Sequence, residues 1–407
     1  MSRFLFVVPP LTGHVTPLAA VARELAALGH TVLWCGDPAV VRPLAGPEAV
    51  VRACPAGGFR PAPEPLGLRG YAALKHLWEG FLIPLADACA DEVTEIGRRF
   101  GPDVVVADMQ ALAGPLAAVR LGVPWATSAT TSAPLQESFR TTPKVRTWLD
   151  GLFAGLARRH APVTGDPLLP RDLELSPALA IAFTTEALLG GAEIPPQVRF
   201  VGPALAPRAA FGPPFPWERL DGRPLVVTAL GTLNEAVTGP FLAACAGAAD
   251  LLHGRVQEVI ADPAGVLGEG DPPDVITRPY LPLLRLLDRA AVVICHGGHN
   301  TVCEALAHGV PLVVAPIRDD QPVIAAQVSG AGAGVRLRFG RVTSVIVRDA
   351  VTTVLDRPAF TERASAIRES FAAAGSAAVA AAHLLALAGD LPPAGRRAPI
   401  RYARADA

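Results

Sequence analysis

The strongest constraint on the fold is a strand, turn, helix and second strand that follow one another in the last third of the chain. Residues 291–295 are an apolar run of strand length, and a Gly-Gly pair then breaks the run. Asn300 is placed to cap a helix, because apolar residues then recur at helical spacing until Gly309 ends the pattern. A second apolar run covers 310–315. Two buried strands joined by a helix predict parallel pairing.

The same alternation of apolar runs and helices continues through both halves of the 407-residue chain. It predicts an α/β protein with two doubly wound parallel sheets. A Pro-rich stretch at 206–222 is the predicted linker between an N-terminal domain at 1–205 and a C-terminal domain at 223–375. A last helix is predicted within 376–390, and a Pro- and Arg-rich tail follows at 391–407. Ligands of such sheets bind outside the carboxyl ends of the strands, so the two domains should face a shared cleft.

Polar side chains gather after the two strands of the first motif. They are His296, Asn300, Thr301, Glu304, Asp320 and Gln321. Free backbone N–H groups at a helix start bind phosphate, so the turn at Gly297 and Gly298 predicts an anion site. Glu304 could accept hydrogen bonds from ribose hydroxyls one turn further on. The alternative is a Gly-Gly turn that only separates strand from helix, which would not explain the gathered polar residues.

This pattern resembles the donor-binding signature of the inverting glycosyltransferases of the two-domain GT-B type, which include plant UDP-sugar enzymes and bacterial natural-product enzymes. The shared spacing is H-x-G-x-N-T-x-x-E followed by G-x-P-x-x-x-x-P-x-x-x-D-Q, and it runs here from His296 to Gln321. The resemblance implies a nucleotide-sugar donor. The implied roles are diphosphate binding by His296, Asn300 and Thr301, ribose binding by Glu304, and sugar binding by Asp320 and Gln321.

Two further matches extend the implied donor site. Thr232 follows the first strand of the second half and could contact the diphosphate, although an ordinary strand-to-helix turn is the alternative. Tyr280 and Leu281 lie where the family stacks an aromatic side chain on the base. Leu283 stands where the family often has glutamine, which leaves dTDP-sugars open beside UDP-sugars. The resemblance also implies that the final helices, about 376–388, cross back to the first domain.

A candidate general base lies in the N-terminal half. His14 comes between the first apolar run and a helix predicted to begin at Thr16 and Pro17. The positive end of that helix disfavours imidazolium, so we expect a neutral His14 that can accept a proton. Asp108 ends a buried strand at the same edge of the sheet and could orient the imidazole. The plain alternatives are a histidine satisfied by loop carbonyls and an aspartate that caps a helix.

The family resemblance supports this pair. The motif G-H-x-x-P begins at Gly13, and in the family its histidine deprotonates the acceptor hydroxyl while an aspartate on a later strand orients it. Asp91 and Asp103 are rivals of Asp108 for the second role. Asp103 precedes its strand, at the wrong end of the sheet, and therefore ranks below Asp108.

The acceptor is expected to enter a pocket of the first domain that is walled by 60–85 and 128–148. Its candidate contacts are Gly13, Trp78, Phe81 and Phe139. The aromatic character of these segments favours a lipophilic natural product. The alternative is that these side chains belong to the core.

No metal and no resident cofactor are expected. The chain has no D-x-D motif, its six cysteines show no metal-ligand spacing, and His299 is expected to lie at a helix end near the cleft. The helix dipole and polar side chains are expected to stabilise the leaving diphosphate. A net charge of −1 gives no indication of a nucleic-acid partner. No run of 18 apolar residues and no signal peptide are recognised, which predicts a cytoplasmic protein without a membrane segment, and a homodimer is compatible with the sequence.

Two rival functions fit the same architecture. A nucleotide-sugar 2-epimerase would need no base in the first loop and usually carries Ser-Gly-Gly where this chain has His-Gly-Gly. A catalytically silent auxiliary protein would be expected to lose His14 or the donor signature. The sequence therefore predicts an inverting, metal-independent glycosyltransferase that moves a sugar from a dTDP- or UDP-sugar to a lipophilic acceptor, with His14 as base.

Overall fold

A computed structural model of the protein shows two parallel sheets, each covered by helices on both faces. It describes residues 1–63, 65, 67–136, 142–160, 170–190, 193–205, 213–231, 235–268, 272 and 274–389. The two sheets confirm the predicted α/β class with two doubly wound parallel sheets. Because both faces are covered, the central strands are continuous apolar runs rather than alternating ones.

The first sheet has seven strands in the order β3-β2-β1-β4-β5-β6-β7. They are β1 Arg3–Val7, β2 Thr31–Gly36, β3 Val50–Ala53, β4 Val104–Asp108, β5 Trp125–Ala129, β6 Leu179–Ala182 and β7 Val198–Phe200. The helices of this half are α1 Thr12–Ala27, α2 Pro38–Ala45, α3 Gly70–Lys75, α4 Ile83–Phe100, α5 Ala113–Leu121, α6 Pro143–His160, α7 Pro170–Glu174 and α8 Glu186–Leu189. The strand order places the carboxyl ends of β1, β4 and β5 side by side.

The second sheet has six strands in the order β10-β9-β8-β11-β12-β13. They are β8 Leu225–Ala229, β9 Gln257–Ala261, β10 Val275–Arg278, β11 Ala290–Cys295, β12 Leu312–Val314 and β13 Gly334–Arg336. Its helices are α9 Glu235–Leu251, α10 Leu283–Leu287, α11 His299–Ala307, α12 Gln321–Gly330, α13 Ser344–Asp356, α14 Pro358–Ala373 and α15 Ser376–Gly389. The connection from β11 through α11 to β12 is the crossover that the opening motif predicts.

The last helix joins the two halves. Ala380 and Leu384 of α15 are buried in the same cluster as Leu18 of α1, so α15 packs on the first sheet's side of the molecule. The turn before it is held there, since the backbone N–H of Ser376 donates to Val201 O at 2.6 Å. No single helix among the described residues is long and apolar enough to cross a membrane, and the bent pair α14 and α15 passes that test by length and composition only.

Two helices begin earlier than the capping pattern predicts. Helix α1 begins at Thr12, because the N–H groups of His14 and Val15 both donate to Leu11 O, and Pro17 therefore lies inside the helix. Helix α11 begins at His299 with Gly298 as its N-cap, so Asn300 is not the cap. Both errors share one cause. Thr-Pro and Asn are favoured start signals, whereas the observed N-caps, Leu11 and Gly298, make no side-chain hydrogen bond that a capping rule could recognise.

The region predicted as one helix from 72 to 99 contains a π-helical turn. The π-turn covers His76–Leu82 and joins α3 to α4 without a break in helical backbone. Pro84 has no N–H group, so it cannot donate to the carbonyl of Gly80, which lies four residues earlier in the helix. The backbone N–H of Ala62 donates to Gly80 O instead, at 3.1 Å. A proline inside a helix thus releases a glycine carbonyl for a distant donor.

Candidate active site

The predicted base and its aspartate are in contact. His14 lies in the first turn of α1 and Asp108 is the last residue of β4, and the neighbouring β1 and β4 bring them together. His14 Nδ1 is 2.9 Å from Asp108 Oδ1, and 17% of the histidine side chain is exposed while the aspartate side chain is fully buried. A proton on Nδ1 satisfies the carboxylate and leaves the Nε2 lone pair free to accept a proton from a substrate.

Thr130 completes this cluster and was not among the predicted site residues. Its Oγ1 donates to Asp108 Oδ2 at 2.7 Å and lies 2.8 Å from His14 Nδ1. The N–H of Gln110 donates to Asp108 Oδ1 at 2.9 Å, so both carboxylate oxygens are held. The available signal was position: Thr130 directly follows β5, the neighbour of β4, and its side chain reaches the same edge of the sheet.

The electrostatics of His14 correct the expectation of an imidazole that is neutral because of the helix end. Burial lowers the pKa of His14, but the charge of Asp108, the hydrogen bond to it and the charge of Asp320 raise it, and the net pKa lies above the ordinary value. Two carboxylates therefore outweigh burial. The base form of His14 is consequently favoured only at a higher pH than for a free histidine.

The two rival aspartates lie elsewhere. Asp103 accepts a hydrogen bond from the N–H of Arg3 at 2.8 Å, at the amino ends of β1 and β4. Asp91 pairs with Arg120 Nη1 at 2.7 Å on the surface. Of the three candidates, Asp108 is the one in contact with His14.

The turn after β11 has a specific need for its two glycines. Gly297 has a φ of 88°, which disfavours other residues, and a Cβ there would lie 2.9 Å from Val314 Cγ1. A Cβ on Gly298 would lie 2.5 Å from His296 Nε2. The turn therefore holds the His296 ring directly against the start of α11.

His296 is a neutral side chain with an unused polar atom. Burial lowers its pKa to about 4, against the opposing effect of Asp320 and the backbone of Ala229. Its Nδ1 atom is buried and has no hydrogen-bond partner among the described residues. The ring atom nearest the helix start is Nε2, and a neutral imidazole nitrogen beside N–H groups at a helix start fits a phosphate oxygen.

Helix α11 presents its other predicted residues to the space between the domains. Asn300 Nδ2 donates to Gly13 O at 3.0 Å, and Thr301 lies beside it in the first turn. Glu304 is 4% exposed and lines a cavity together with Asn300. The remaining walls of that cavity come from both halves: Thr16, Pro17, Phe183, Pro203, Ala204, Leu205, Leu284 and Cys303.

The predicted sugar-binding pair contacts other parts of the protein. Thr131 Oγ1 donates to Asp320 Oδ2 at 2.5 Å across the cleft. Gln321 Oε1 accepts from the N–H groups of Ile317 at 2.8 Å and Arg318 at 3.1 Å. The amide oxygen of Gln321 thus holds the loop before α12, whereas the Asp320 carboxylate faces the other domain.

Other predicted residues are more scattered. Tyr280 follows β10 with 60% of its surface exposed, and Leu281 packs against the core beside it. Phe81 is half-buried and stacks on Phe59 at 6.0 Å. Trp78 is only 6% exposed and packs edge-on against Phe153, so it contributes to the core instead of offering a face to an acceptor. Thr232 and Phe139 lie outside the described residues.

His299 is buried where the two halves meet. Its Nε2 is 3.4 Å from Phe183 O, its Nδ1 is 3.5 Å from Ser132 Oγ, and burial lowers its pKa. Within the described part of the chain, no group of three or more His, Cys, Asp or Glu side chains is arranged to hold a metal ion. His299 is therefore an interface side chain.

Known proteins are similar to this chain in sequence. Residues 257–387 match the C-terminal domain of the erythromycin biosynthesis protein CIII-like family. The chain is 33% identical over 412 residues to the 4'-demethylrebeccamycin synthase of Lentzea aerocolonigenes, and the alignment covers 91% of this chain and 96% of the relative. It is 29% identical to the demethyllactenocin mycarosyltransferase of Streptomyces fradiae, over 94% of this chain and 85% of the relative.

Solved structures agree in fold. The crystal structure of the kitacinnamycin glycotransferase aligns with a TM-score of 0.75 at 25% identity, over 95% of this chain and 99% of that one. A spinosyn rhamnosyltransferase solved with thymidine diphosphate aligns with a TM-score of 0.72 at 23% identity, over 95% of this chain and all of that one.

Proposed function

This chain belongs to the natural-product glycosyltransferases of the GT-B fold, which use nucleotide-sugar donors, and we propose from that premise that it transfers the sugar with inversion and uses His14 as general base. One observation carries the proposal. The contact of 2.9 Å between His14 Nδ1 and Asp108 faces the predicted donor segment across the cleft, and Asn300 of that segment touches the residue next to His14.

The proposed reaction is a single displacement. The acceptor hydroxyl gives its proton to His14 Nε2 while its oxygen forms a bond to the anomeric carbon. The bond from that carbon to the diphosphate oxygen breaks on the opposite face, which inverts the configuration. The transition state has oxocarbenium character, as in other glycosyl transfers through the same centre. Asp108 stabilises the imidazolium that forms on His14.

The leaving diphosphate is the second charge to be stabilised. We assign it to the start of α11, where backbone N–H groups, the helix dipole and the His296 ring, whose Nε2 edge faces Gly298, come together. Glu304 then lies one turn further along the same helix, where we assign it to the ribose hydroxyls, and it lines the small cavity between the two halves. These groups support a mechanism that needs no metal, which transfer in the presence of a chelator would test.

The proposed acceptor is a lipophilic natural product. The names of the two relatives contain those of natural products, rebeccamycin and lactenocin. The half-buried Phe81 lies in the segment predicted to wall the pocket and stacks on Phe59 just outside that segment. The acceptor itself is best found with a panel of aromatic and polyketide aglycones.

The first test is calorimetric titration of the chelator-treated protein with UDP, dTDP, GDP and NADPH. Preferential binding of UDP or dTDP supports the donor site and selects the donors for a transfer assay with the aglycone panel. Binding of none of the four would place the auxiliary-protein hypothesis first. Conversion of the donor sugar without transfer would favour the 2-epimerase.

A further inference from the structure

We propose that Asn300 is a positioning residue for the base, and that it acts through the backbone carbonyl of Gly13 rather than as a ligand of the diphosphate. The proposal rests on the proposed function, because it assigns His14 the role of base. It replaces the diphosphate role that the donor signature implies for Asn300. Three independent features of the two helices carry it.

The first feature is a proline that leaves a carbonyl free. In helix α1 the N–H of residue 17 would donate to Gly13 O, four residues earlier. Residue 17 is a proline inside the helix, so this donor does not exist, and its ring pushes the carbonyl outward. The Gly80 carbonyl is released by Pro84 in the same way and is bonded by a donor from outside its helix. The Gly13 carbonyl, next to His14, is thus available to accept a hydrogen bond from outside helix α1.

The second feature is the space beside that carbonyl. A Cβ on residue 13 would lie 3.2 Å from Asn300 Nδ2, closer than a side chain normally packs. Glycine therefore lets the amide of Asn300 approach the backbone. Gly13 gives the space for this contact, and Pro17 leaves the carbonyl without a helical donor. The spacing of the G-H-x-x-P motif acquires a physical reason: its glycine and its proline flank the base and prepare its helix for a partner.

The third feature is the fixed position of the donor. Asn300 lies in the first turn of α11, whose start is held by Gly298 against the His296 ring. Its Nδ2 donates to Gly13 O at 3.0 Å, which joins the first turns of α1 and α11 directly. The base and the predicted phosphate site are carried by these two turns. The amide bond therefore sets the distance between the proton acceptor and the leaving group.

The contact predicts a split between turnover and binding. Loss of one hydrogen bond that only positions the base should lower kcat about threefold to tenfold and leave nucleotide affinity unchanged. Loss of a diphosphate ligand would instead weaken nucleotide binding. The two roles are separable because Pro17→Ala supplies a helical N–H that competes with Asn300 for Gly13 O and leaves every residue of α11 unchanged.

The experiment compares wild type, Asn300→Ala, Pro17→Ala and the double variant. Pro43→Ala is the matched control, because it restores a helix bond in α2 away from the cleft. Calorimetry gives the Kd for dTDP and UDP, and release of dTDP or UDP from a sugar donor with an aglycone that wild type accepts gives kcat. The ring resonances of His14 in histidine-labelled protein, identified with His14→Ala, report the base without turnover.

We expect a loss of kcat in both single variants, no loss in the double variant beyond that of Asn300→Ala, an unchanged Kd and shifts of the His14 resonances in the same direction. Additive losses, or a Kd about tenfold weaker in Asn300→Ala alone, would overturn the proposal. Gly13→Ala provides a second route if Pro17→Ala unfolds, and should copy Asn300→Ala. If wild type shows no transfer, the proposed function fails, while the Kd values and the resonances still decide the role of Asn300.

Discussion

The base cluster and the donor segment are built in opposite ways. His14, Asp108 and Thr130 come from three distant strand ends and bind one another. The donor residues come from one continuous segment, yet Asn300 and Asp320 make their bonds to the other domain. The base is thus assembled before a substrate arrives, whereas donor residues are shared between holding the domains together and holding a ligand. Substitutions in the base cluster should affect chemistry. In the donor segment, substitution of Glu304 should affect binding, whereas substitution of Asn300 should affect kcat through its bond to Gly13.

The sharpest test of this contrast is His14→Ala. Loss of a general base should lower kcat by about a hundredfold to ten-thousandfold, and the Kd for dTDP should not change. His253→Ala is the matched control, because His253 also pairs with an aspartate, Asp274, at 2.5 Å, but it is 77% exposed. An equal loss of dTDP affinity in His14→Ala would break the contrast.

Asp108→Asn should have the next largest effect. The amide keeps the shape of the side chain but cannot stabilise the imidazolium or select the Nδ1-protonated form, so kcat should fall about a hundredfold. Single-turnover rates with a saturating donor measure the loss. Turnover at the wild-type rate would remove Asp108 from the mechanism.

The pH profile separates orientation from charge. His14 must be unprotonated to act, and its pKa is raised, so kcat/KM should fall as the pH decreases through that raised pKa. Asp108→Asn removes the causes that raise the pKa most, so the acidic limb should move to lower pH. If the acidic limb stays at the same pH in the variant, a group other than His14 causes that limb.

Glu304→Ala should affect binding instead of chemistry. Loss of a hydrogen bond between ribose hydroxyls and a carboxylate should weaken dTDP or UDP binding about tenfold to a hundredfold. The kcat at a saturating donor concentration should remain near that of wild type, and Glu304→Gln should recover part of the affinity. Full affinity in Glu304→Ala would remove Glu304 from the nucleotide site.

The smallest effect is expected from Thr130→Val. The valine keeps the shape but removes the hydroxyl that bonds Asp108, so kcat should fall about threefold to tenfold with an unchanged Kd. Thr130→Ser should restore the rate, which a purely structural role for the methyl group would not allow. A loss that serine fails to rescue would assign Thr130 to packing.

Some of this could be predicted from local sequence alone. The strand and helix alternation determined the two parallel sheets, because apolar periodicity is a property of neighbouring residues. Strand order in such a fold also places His14 and Asp108 at one edge. The edge strands β3, β10 and β13 have only three or four residues each, which is too short to show a period.

Only the tertiary structure decided the contacts between distant residues. Capping rules placed the start of α1 at Thr16, and the hydrogen bonds to Leu11 moved it to Thr12. The raised pKa of His14 depends on carboxylates from another strand and another domain. Thr130, the bond from Asn300 to Gly13 and the burial of Trp78 arise in the same way. A local pattern determines which face of an element is apolar, but distance and dielectric environment exist only once the two sheets have packed.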